Sequence, residues 1–301
     1  MLLQSWPVSA RKPVFITGAT GYVGRNVARA FRRAGWQVLG LTRDAAKASS
    51  LAAEEITPVI GTLQDPSTWR RAAESAGLLI HAAADYATDT QELDQSVTRT
   101  LVDIATARGA TVIYTSGVWI HGTTGSQVAD ETTPLAPAEN VSKRPATERI
   151  VLEAKPRGIV IRPAIVYGRQ GGLTAALFTD QPVVGDGRNH WPMVHVDDVA
   201  DAYVRAAERG TAGGIYILTD GATVTMAEVA AAARRAAGLS GPVKWLPLAE
   251  ARKKLGAFAD ALVLDQRFSA ARAQRELGWC AVRPGFIDEA QTYAAASGSE
   301  K

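Results

Sequence analysis

Three glycines spaced Gly-x-x-Gly-x-x-Gly lie between an apolar run and an amphipathic one, where they can shape a ligand-binding turn. In such a turn the first glycine permits the tight bend, the second lets the backbone approach a pyrophosphate, and the third lets the helix pack against the strand. The N–H groups at the helix N-terminus then meet negative charge. The sequence therefore predicts a dinucleotide-binding loop formed by Gly18, Thr20, Gly21, Tyr22, Val23 and Gly24.

Two charged residues follow the second apolar run, where the adenosine ribose of such a ligand would lie. Arg43 can accommodate the 2′-phosphate of NADP, since a guanidinium pairs with phosphate oxygens. Asp44 either bonds the 2′-hydroxyl of NAD or caps a helix that begins at Ala45. The sequence predicts NADP as the cofactor and leaves NAD open.

Strands and helices must position these residues, and the first two-thirds of the chain alternates short apolar runs with longer amphipathic ones. This alternation is typical of βαβ units. The predicted strands are 13–17, 37–42, 56–60, 78–82, 110–115, 158–162 and 214–218, and the predicted helices are 22–34, 66–75, 90–108, 146–154 and 199–208. The expected fold class is α/β, a Rossmann-type doubly wound parallel sheet with a smaller C-terminal substrate domain.

The later part of the chain has a different pattern. Thr225 and Glu228 form a capping box before an alanine-rich helix, and a short strand near 243–246 and helices near 248–255 and 269–277 follow. We predict that residues 11–168 and about 192–220 form the dinucleotide-binding domain. Residues 169–191 and about 221–296 would then form a small substrate-binding domain.

Composition excludes several classes of protein. The chain has 301 residues, of which 47% are hydrophobic, and 33 basic against 30 acidic side chains give a net charge of +3. The basic residues are scattered, so we expect no nucleic-acid partner. No apolar run is long enough for a membrane helix, so no membrane partner is expected either. The single cysteine, Cys280, and the lack of a secretion-signal pattern predict a cytoplasmic protein.

Four motifs together resemble the extended short-chain dehydrogenase/reductase family, and more narrowly its NAD-dependent epimerase/dehydratase-like members. They are the glycine loop, His81-Ala82-Ala83, the run from Arg162-Pro163 to Tyr167-Gly168, and Val194-His195-Val196-Asp197-Asp198-Val199. The resemblance covers roughly residues 12–290. It implies that Ala82, Ala83 and Pro163 contact the cofactor, that the last motif is a structural buttress, and that helices 90–108 and 146–154 form a homodimer.

The sequence departs from that family at the catalytic centre. The family uses a serine or threonine with a tyrosine and a lysine four residues later, the lysine lowering the pKa of the tyrosine. Here Gly117 stands where the serine is usual, and Ser116 comes one residue early. One register places Asn140 and Arg144 at the tyrosine and lysine positions, whereas another places Glu139 at the tyrosine. The chain therefore resembles the atypical members.

Candidate catalytic residues must lie on loops that follow the carboxyl ends of the strands. Tyr86 after the fourth strand and His121 after the fifth can deliver a proton, and Ser116 can donate a hydrogen bond. His195 with Asp197 and Asp198 lacks a further nearby metal ligand, so no metal site is predicted.

These observations predict an NAD(P)-binding oxidoreductase that transfers a hydride to or from a small carbonyl or alcohol, with NADP(H) as cofactor. One alternative is a sugar-type epimerase or dehydratase that acts through transient oxidation. A second alternative is a non-catalytic NADP-binding regulator, which the missing tyrosine favours.

Overall fold

The computed structural model describes residues 12–83, 90–155, 157–169 and 171–297. The strands in this part of the chain are β1 Val14–Thr17, β2 Val38–Thr42, β3 Thr57–Ile60, β4 Leu78–His81, β5 Thr111–Thr115, β6 Arg157–Pro163, β7 Ile165–Tyr167, β8 Val183–Val184, β9 Met193–His195, β10 Gly214–Leu218 and β11 Trp245–Leu246. The α-helices are α1 Tyr22–Arg33, α2 Ala45–Ala53, α3 Arg70–Ser75, α4 Thr90–Arg108, α5 Arg144–Leu152, α6 Val196–Arg209, α7 Met226–Ala236, α8 Leu248–Leu255, α9 Phe258–Leu262 and α10 Ala290–Ser297.

A seven-stranded sheet organises the described residues. Its order is β10-β6-β5-β4-β1-β2-β3, and all its strand pairs are parallel. The order reverses between β1 and β4, which is the topological switch point at which doubly wound sheets bind ligands. The predicted Rossmann-type fold class is confirmed.

Alternating side chains of the buried strands divide the core between the two faces of the sheet. In β1, Val14 and Ile16 join the cluster that contains α1 and α6, whereas Phe15 joins the cluster that contains α3, α4 and α5. A parallel sheet covered on both faces needs apolar residues at every position, which explains the near-continuous apolar runs in the sequence.

The helix ends follow local sequence signals. Gly35 and Gly109 follow the ends of α1 and α4 with φ of 81° and 65°, the left-handed conformation that is typical of C-terminal caps. The Thr225–Glu228 capping box begins α7. Pro145 occupies the first turn of α5, where its missing N–H costs no hydrogen bond, and that helix begins two residues earlier than predicted.

The later elements pack around a separate apolar cluster. It includes Trp191, Met226, Val229, Phe286 and Tyr293. Two small two-stranded sheets, β7 with β9 and β8 with β11, and the helices α9 and α10 were not predicted. The proposed division into two domains remains a prediction.

A buried ion pair links α5 to β6. Arg162 donates to both carboxylate oxygens of Glu148 at 2.9 and 2.6 Å, and each residue is 2% exposed. Removing one partner would leave the other charge unpaired in the interior, which is far more costly than losing an exposed pair.

We predict that Glu148→Gln lowers the free energy of unfolding by about 3–5 kcal/mol, because Arg162 keeps its charge without a carboxylate partner. Urea unfolding measures this change. The control is Glu250→Gln, which removes an exposed pair with Lys253 and should change the same quantity by less than about 0.5 kcal/mol. Equal losses of unfolding free energy in the two variants would contradict the stabilising role of the buried Arg162–Glu148 pair.

Candidate active site

The glycine loop is pressed against the end of β4. Gly18 has φ of 74°, and a Cβ at this position would lie 2.6 Å from both Ala82 O and Ala83 N. A Cβ on Gly24 would collide with the carbonyl oxygen of Gly18. Side chains at these two positions are therefore excluded by the protein itself, and the turn sits directly over the switch point.

Gly21 is less constrained by the protein than Gly18 and Gly24. A Cβ there would lie 3.2 Å from Gly18 O, a close contact but not a collision, and its φ of −83° suits any residue. Gly21 is the N-cap of α1, no side chain caps this helix end, and the first turn carries no acidic residue. A helix N-terminus with these properties fits a pyrophosphate.

The two charged residues after β2 have separate roles. Asp44 Oδ1 accepts a hydrogen bond of 2.8 Å from the N–H of Ala46 and caps α2. Arg43 is exposed and makes no ion pair with any residue that the structure describes. The guanidinium is thus available at the ribose position, while the carboxylate is engaged by the helix.

Tyr22 connects the glycine loop to the segment after β7. Its hydroxyl donates a 2.7 Å hydrogen bond to the carbonyl of Gly168, and burial raises its pKa. Its ring occupies the space that side chains at Gly171 and Gly172 would need. This segment therefore closes over the first turn of α1.

A cavity of about 190 Å³ opens at the carboxyl ends of β4, β5 and β6. Its wall brings together six residues predicted from the sequence, namely Tyr22, Val23, Ala82, Ala83, Ser116 and Pro163. Gly18, Thr20 and Gly21 lie in the adjoining loop, and Gly24 lies in the first turn of α1. The loop fits the pyrophosphate of a nicotinamide dinucleotide, and the cavity wall adjoins it through Tyr22 and Val23.

Ser116 is the polar residue best placed in this wall. It is 5% exposed, its N–H donates to Ile161 O, and its hydroxyl oxygen has no hydrogen-bond partner in the described structure. Buried hydroxyls are normally paired, so this one is a candidate to bind a ligand.

Arg144 lines the same cavity as Ser116, and the sequence alone did not establish this. Its Nη1 atom is 3.7 Å from where a Cβ on Gly117 would be, an ordinary van der Waals separation, so the guanidinium lies next to Gly117. Val141 and Arg144 also line a neighbouring cavity of about 40 Å³ together with Asn140, whose side-chain oxygen has no partner in the described structure. The structure thus brings Asn140 and Arg144 to the same side of the site.

A buried polar cluster supports the wall from behind. Thr17 Oγ1 lies 2.6 Å from His81 Nδ1, and His81 Nε2 lies 3.3 Å from Asp94 Oδ1. Tyr114 donates a 2.6 Å hydrogen bond to Asp94 Oδ2. Burial acts to raise the pKa of Asp94, but the hydrogen bonds from His81 and Tyr114 outweigh it and hold that pKa below its usual value. Asp94 was not identified from the sequence. Its only sequence signal is an acidic residue between the apolar residues Leu93 and Val97 on one face of a helix.

His121 does not reach the cavity wall formed by the described residues, contrary to its predicted catalytic place. It is 3% exposed, packs against Phe268, and its Nε2 lies 3.2 Å from Arg162 Nη1. Burial and then the Arg162 charge lower the pKa of His121 to about 4, so it is neutral near pH 7. Tyr86, the other predicted proton donor, lies outside the described residues.

The histidine that ends β9 and the two aspartates at the start of α6 make structural contacts. His195 caps α6 through Nδ1, and Asp197 pairs with Arg169 at 2.7 Å. Asp198 accepts from the N–H groups of Val282 and Arg283. Within the described ranges, no group of three or more metal-ligating side chains occurs, and no helix has the length and apolarity to cross a membrane.

Comparison with known proteins identifies the family. The profile of the NAD-dependent epimerase/dehydratase family matches residues 14–218. The chain belongs to this family. One family relative is a 4-hydroxy-2-methyl-3-oxo-4-farnesyl-3,4-dihydroquinoline-1-oxide ketoreductase of Stigmatella aurantiaca, 32% identical over 79% of this chain and 77% of that protein. Another is a 3-diazoavenalumate denitrifying reductase of a Streptomyces species, 28% identical over 91% and 98% of the two chains.

The fold is shared with solved structures of nucleotide-sugar enzymes. A dTDP-glucose 4,6-dehydratase of Bacillus anthracis, crystallised with NAD, superposes with a TM-score of 0.82 over 96% of this chain and 97% of that one, at 18% identity. Membership in this epimerase/dehydratase family makes the chain an oxidoreductase-type, NAD(P)-binding protein.

We predict that Gly21→Val abolishes binding of NADPH and NADH while the protein stays folded, because the added side chain would enter the space left for the pyrophosphate. Fluorescence titration measures binding, and circular dichroism measures folding. Ala45→Val, at the start of α2, is the matched control and should bind normally. Unchanged affinity in folded Gly21→Val would show that the loop is only a turn.

Proposed function

We propose that this protein is an NADP(H)-dependent reductase of small carbonyl compounds. The observation that carries the proposal is the cavity that runs from the glycine loop to the unpartnered hydroxyl of Ser116, with Arg144 beside it. A dinucleotide whose pyrophosphate is held at the loop and a carbonyl oxygen held at Ser116 would meet in one cavity.

Relatives support a net reduction. Both the ketoreductase at 32% identity and the reductase at 28% identity are named for reductions, and each aligns over most of this chain. The preference for NADP over NAD is supported by Arg43, which is exposed, and by Asp44, whose carboxylate is occupied as a helix cap.

The described side chains suit the charge that develops during reduction. When bound, NADPH would supply the hydride. Ser116 Oγ–H would donate a hydrogen bond to the substrate oxygen, and Arg144 would stabilise the negative charge that builds on it. Arg144 stays protonated, so it cannot deliver the final proton. With His121 engaged by Arg162, Tyr86 is the proton donor we propose.

The alternatives find less support. An epimerase or dehydratase that acts through transient oxidation returns its cofactor unchanged, whereas the two relatives are named for net reductions. A regulator that only senses the cofactor needs no unpartnered hydroxyl in the cavity. The homodimer and the cytoplasmic location remain predictions.

We predict that Arg43→Ala removes most of the preference for NADPH over NADH and leaves the NADH affinity nearly unchanged, because only the 2′-phosphate gives the guanidinium a charged partner. Isothermal titration with each cofactor measures the preference. Lys47→Ala, which removes an exposed cation one turn into α2, is the control and should keep it. Equal affinities for NADPH and NADH in the unmodified protein would contradict the proposed NADP preference.

We predict that Ser116→Ala lowers kcat about 100- to 1,000-fold without weakening NADPH binding, because the substrate oxygen loses its donor. Tyr86→Phe should also lower kcat strongly. Steady-state kinetics on a ketone that the unmodified protein reduces provides the measurement, and the exposed Ser142→Ala is the control. If Ser116→Ala turned over normally, the donor would have to lie elsewhere.

A further inference from the structure

The other described residues of the cavity wall are mainly apolar. They include Val118, Trp119, Ile120, Val141, Ile165 and Leu173. Trp119 packs edge-on against Phe258, with ring centroids 5.7 Å apart and planes at 74°. The described wall thus presents hydrocarbon and aromatic surface in the same cavity as Ser116 and Arg144.

This lining determines which substrates the site can accept. Each hydroxyl buried without a hydrogen-bond partner costs about 1–3 kcal/mol. A sugar carries several hydroxyls, and the wall residues that the structure describes offer few polar side chains to meet them. An apolar body, in contrast, gains stabilisation of about 25 cal/mol for each Å² that it buries.

The size of the cavity adds a second restriction. Its volume of about 190 Å³ lies below the range of about 300–1,000 Å³ that is common for drug-sized ligands. Part of that volume borders the glycine loop through Tyr22 and Val23, on the cofactor side. The remaining space suits a compact molecule.

We propose that the substrate is a compact, mainly apolar ketone or aldehyde whose oxygen is bound by Ser116 and whose body lies between Trp119 and Leu173. This inference rests on the proposed reductase function. In the reaction the carbonyl carbon gains a hydride, the oxygen gains a proton and becomes a hydroxyl, and the reduced nicotinamide is oxidised. No further reactant is required.

Leu173 is the residue through which the apolar contact can be tested. It is half-buried at the start of the short helical segment Leu173–Phe178, so a polar side chain of similar size can replace it without entering a fully packed core. Leu255, 42% exposed at the end of α8, provides a matched control at which the same substitution touches solvent.

The experiment measures kcat/KM with NADPH for size-matched pairs of carbonyl compounds: cyclohexanone and acetophenone against dihydroxyacetone and erythrulose, with dTDP-4-keto-6-deoxyglucose as a nucleotide-sugar probe. We expect the two apolar ketones to be reduced at least about tenfold more efficiently than the hydroxylated ones. Leu173→Asn should reduce that ratio about tenfold, and Leu255→Asn should leave it unchanged.

NADPH binding, measured in the same samples, separates the proposed reductase function from the proposed substrate class. If the unmodified protein did not bind NADPH, the reductase function itself would be overturned. Normal NADPH binding with preferential reduction of the hydroxylated or nucleotide-sugar compounds would overturn the substrate class and leave the reductase function standing. Two further outcomes, each with normal NADPH binding, would also overturn the substrate class. One is that no probe is reduced. The other is that Leu173→Asn has the same ratio of kcat/KM for apolar over hydroxylated ketones as the unmodified protein.

Discussion

The contact between the glycine loop and the end of β4 is the constraint on which the site depends. Because Gly18 has no side chain, the turn after β1 can lie against Ala82 and Ala83. Because Gly24 also has no side chain, α1 can begin directly after this turn and pack against it. The N-terminus of α1 is thereby directed into the crevice where the strand order reverses, so a ligand anion and the strand-end side chains share one space.

Buried charges fix the opposite side of that space. The Arg162–Glu148 pair ties β6 to α5, and Asp94 with His81 and Tyr114 ties α4 to β4 and β5. Such groups are costly to bury and are tolerated because each has a partner. Their geometric effect is to hold Arg144, at the start of α5, next to the strand end that carries Ser116. The site therefore has an apolar wall with a small polar centre.

The sequence predicted the parts of the fold that local signals determine. The buried strands appear as apolar runs, and the glycine loop, the Gly35 and Gly109 caps and the Thr225 capping box each depend on a few neighbouring residues. α9 was missed because it is too short to show a helical hydrophobic periodicity, and α10 was missed because its alanine-rich sequence shows none. The sequence predicted a strand near 243–246, where β11 lies, but the short strands β7, β8 and β9 were missed because three or fewer residues give no alternation to recognise.

The site was less predictable because contacts distant in sequence determine it. His121 has the right chemistry for a proton donor, but its role depends on Arg162, 41 residues away. Asp44 had two open interpretations, and the structure shows that it caps α2 through Oδ1. Arg144 could be aligned with a catalytic lysine, whereas its place beside Gly117 required the fold.

The central claim is that a net reduction takes place within this cavity. The most direct test is whether deuterium is transferred from the cofactor to the substrate. The protein is incubated with NADPH deuterated at both hydride-bearing positions of its nicotinamide and with acetophenone, and the product is analysed by mass spectrometry and NMR. The account predicts that the recovered alcohol carries deuterium on its carbinol carbon and that an equal amount of NADP⁺ forms. Recovery of unlabelled acetophenone with no NADP⁺ formed would contradict it.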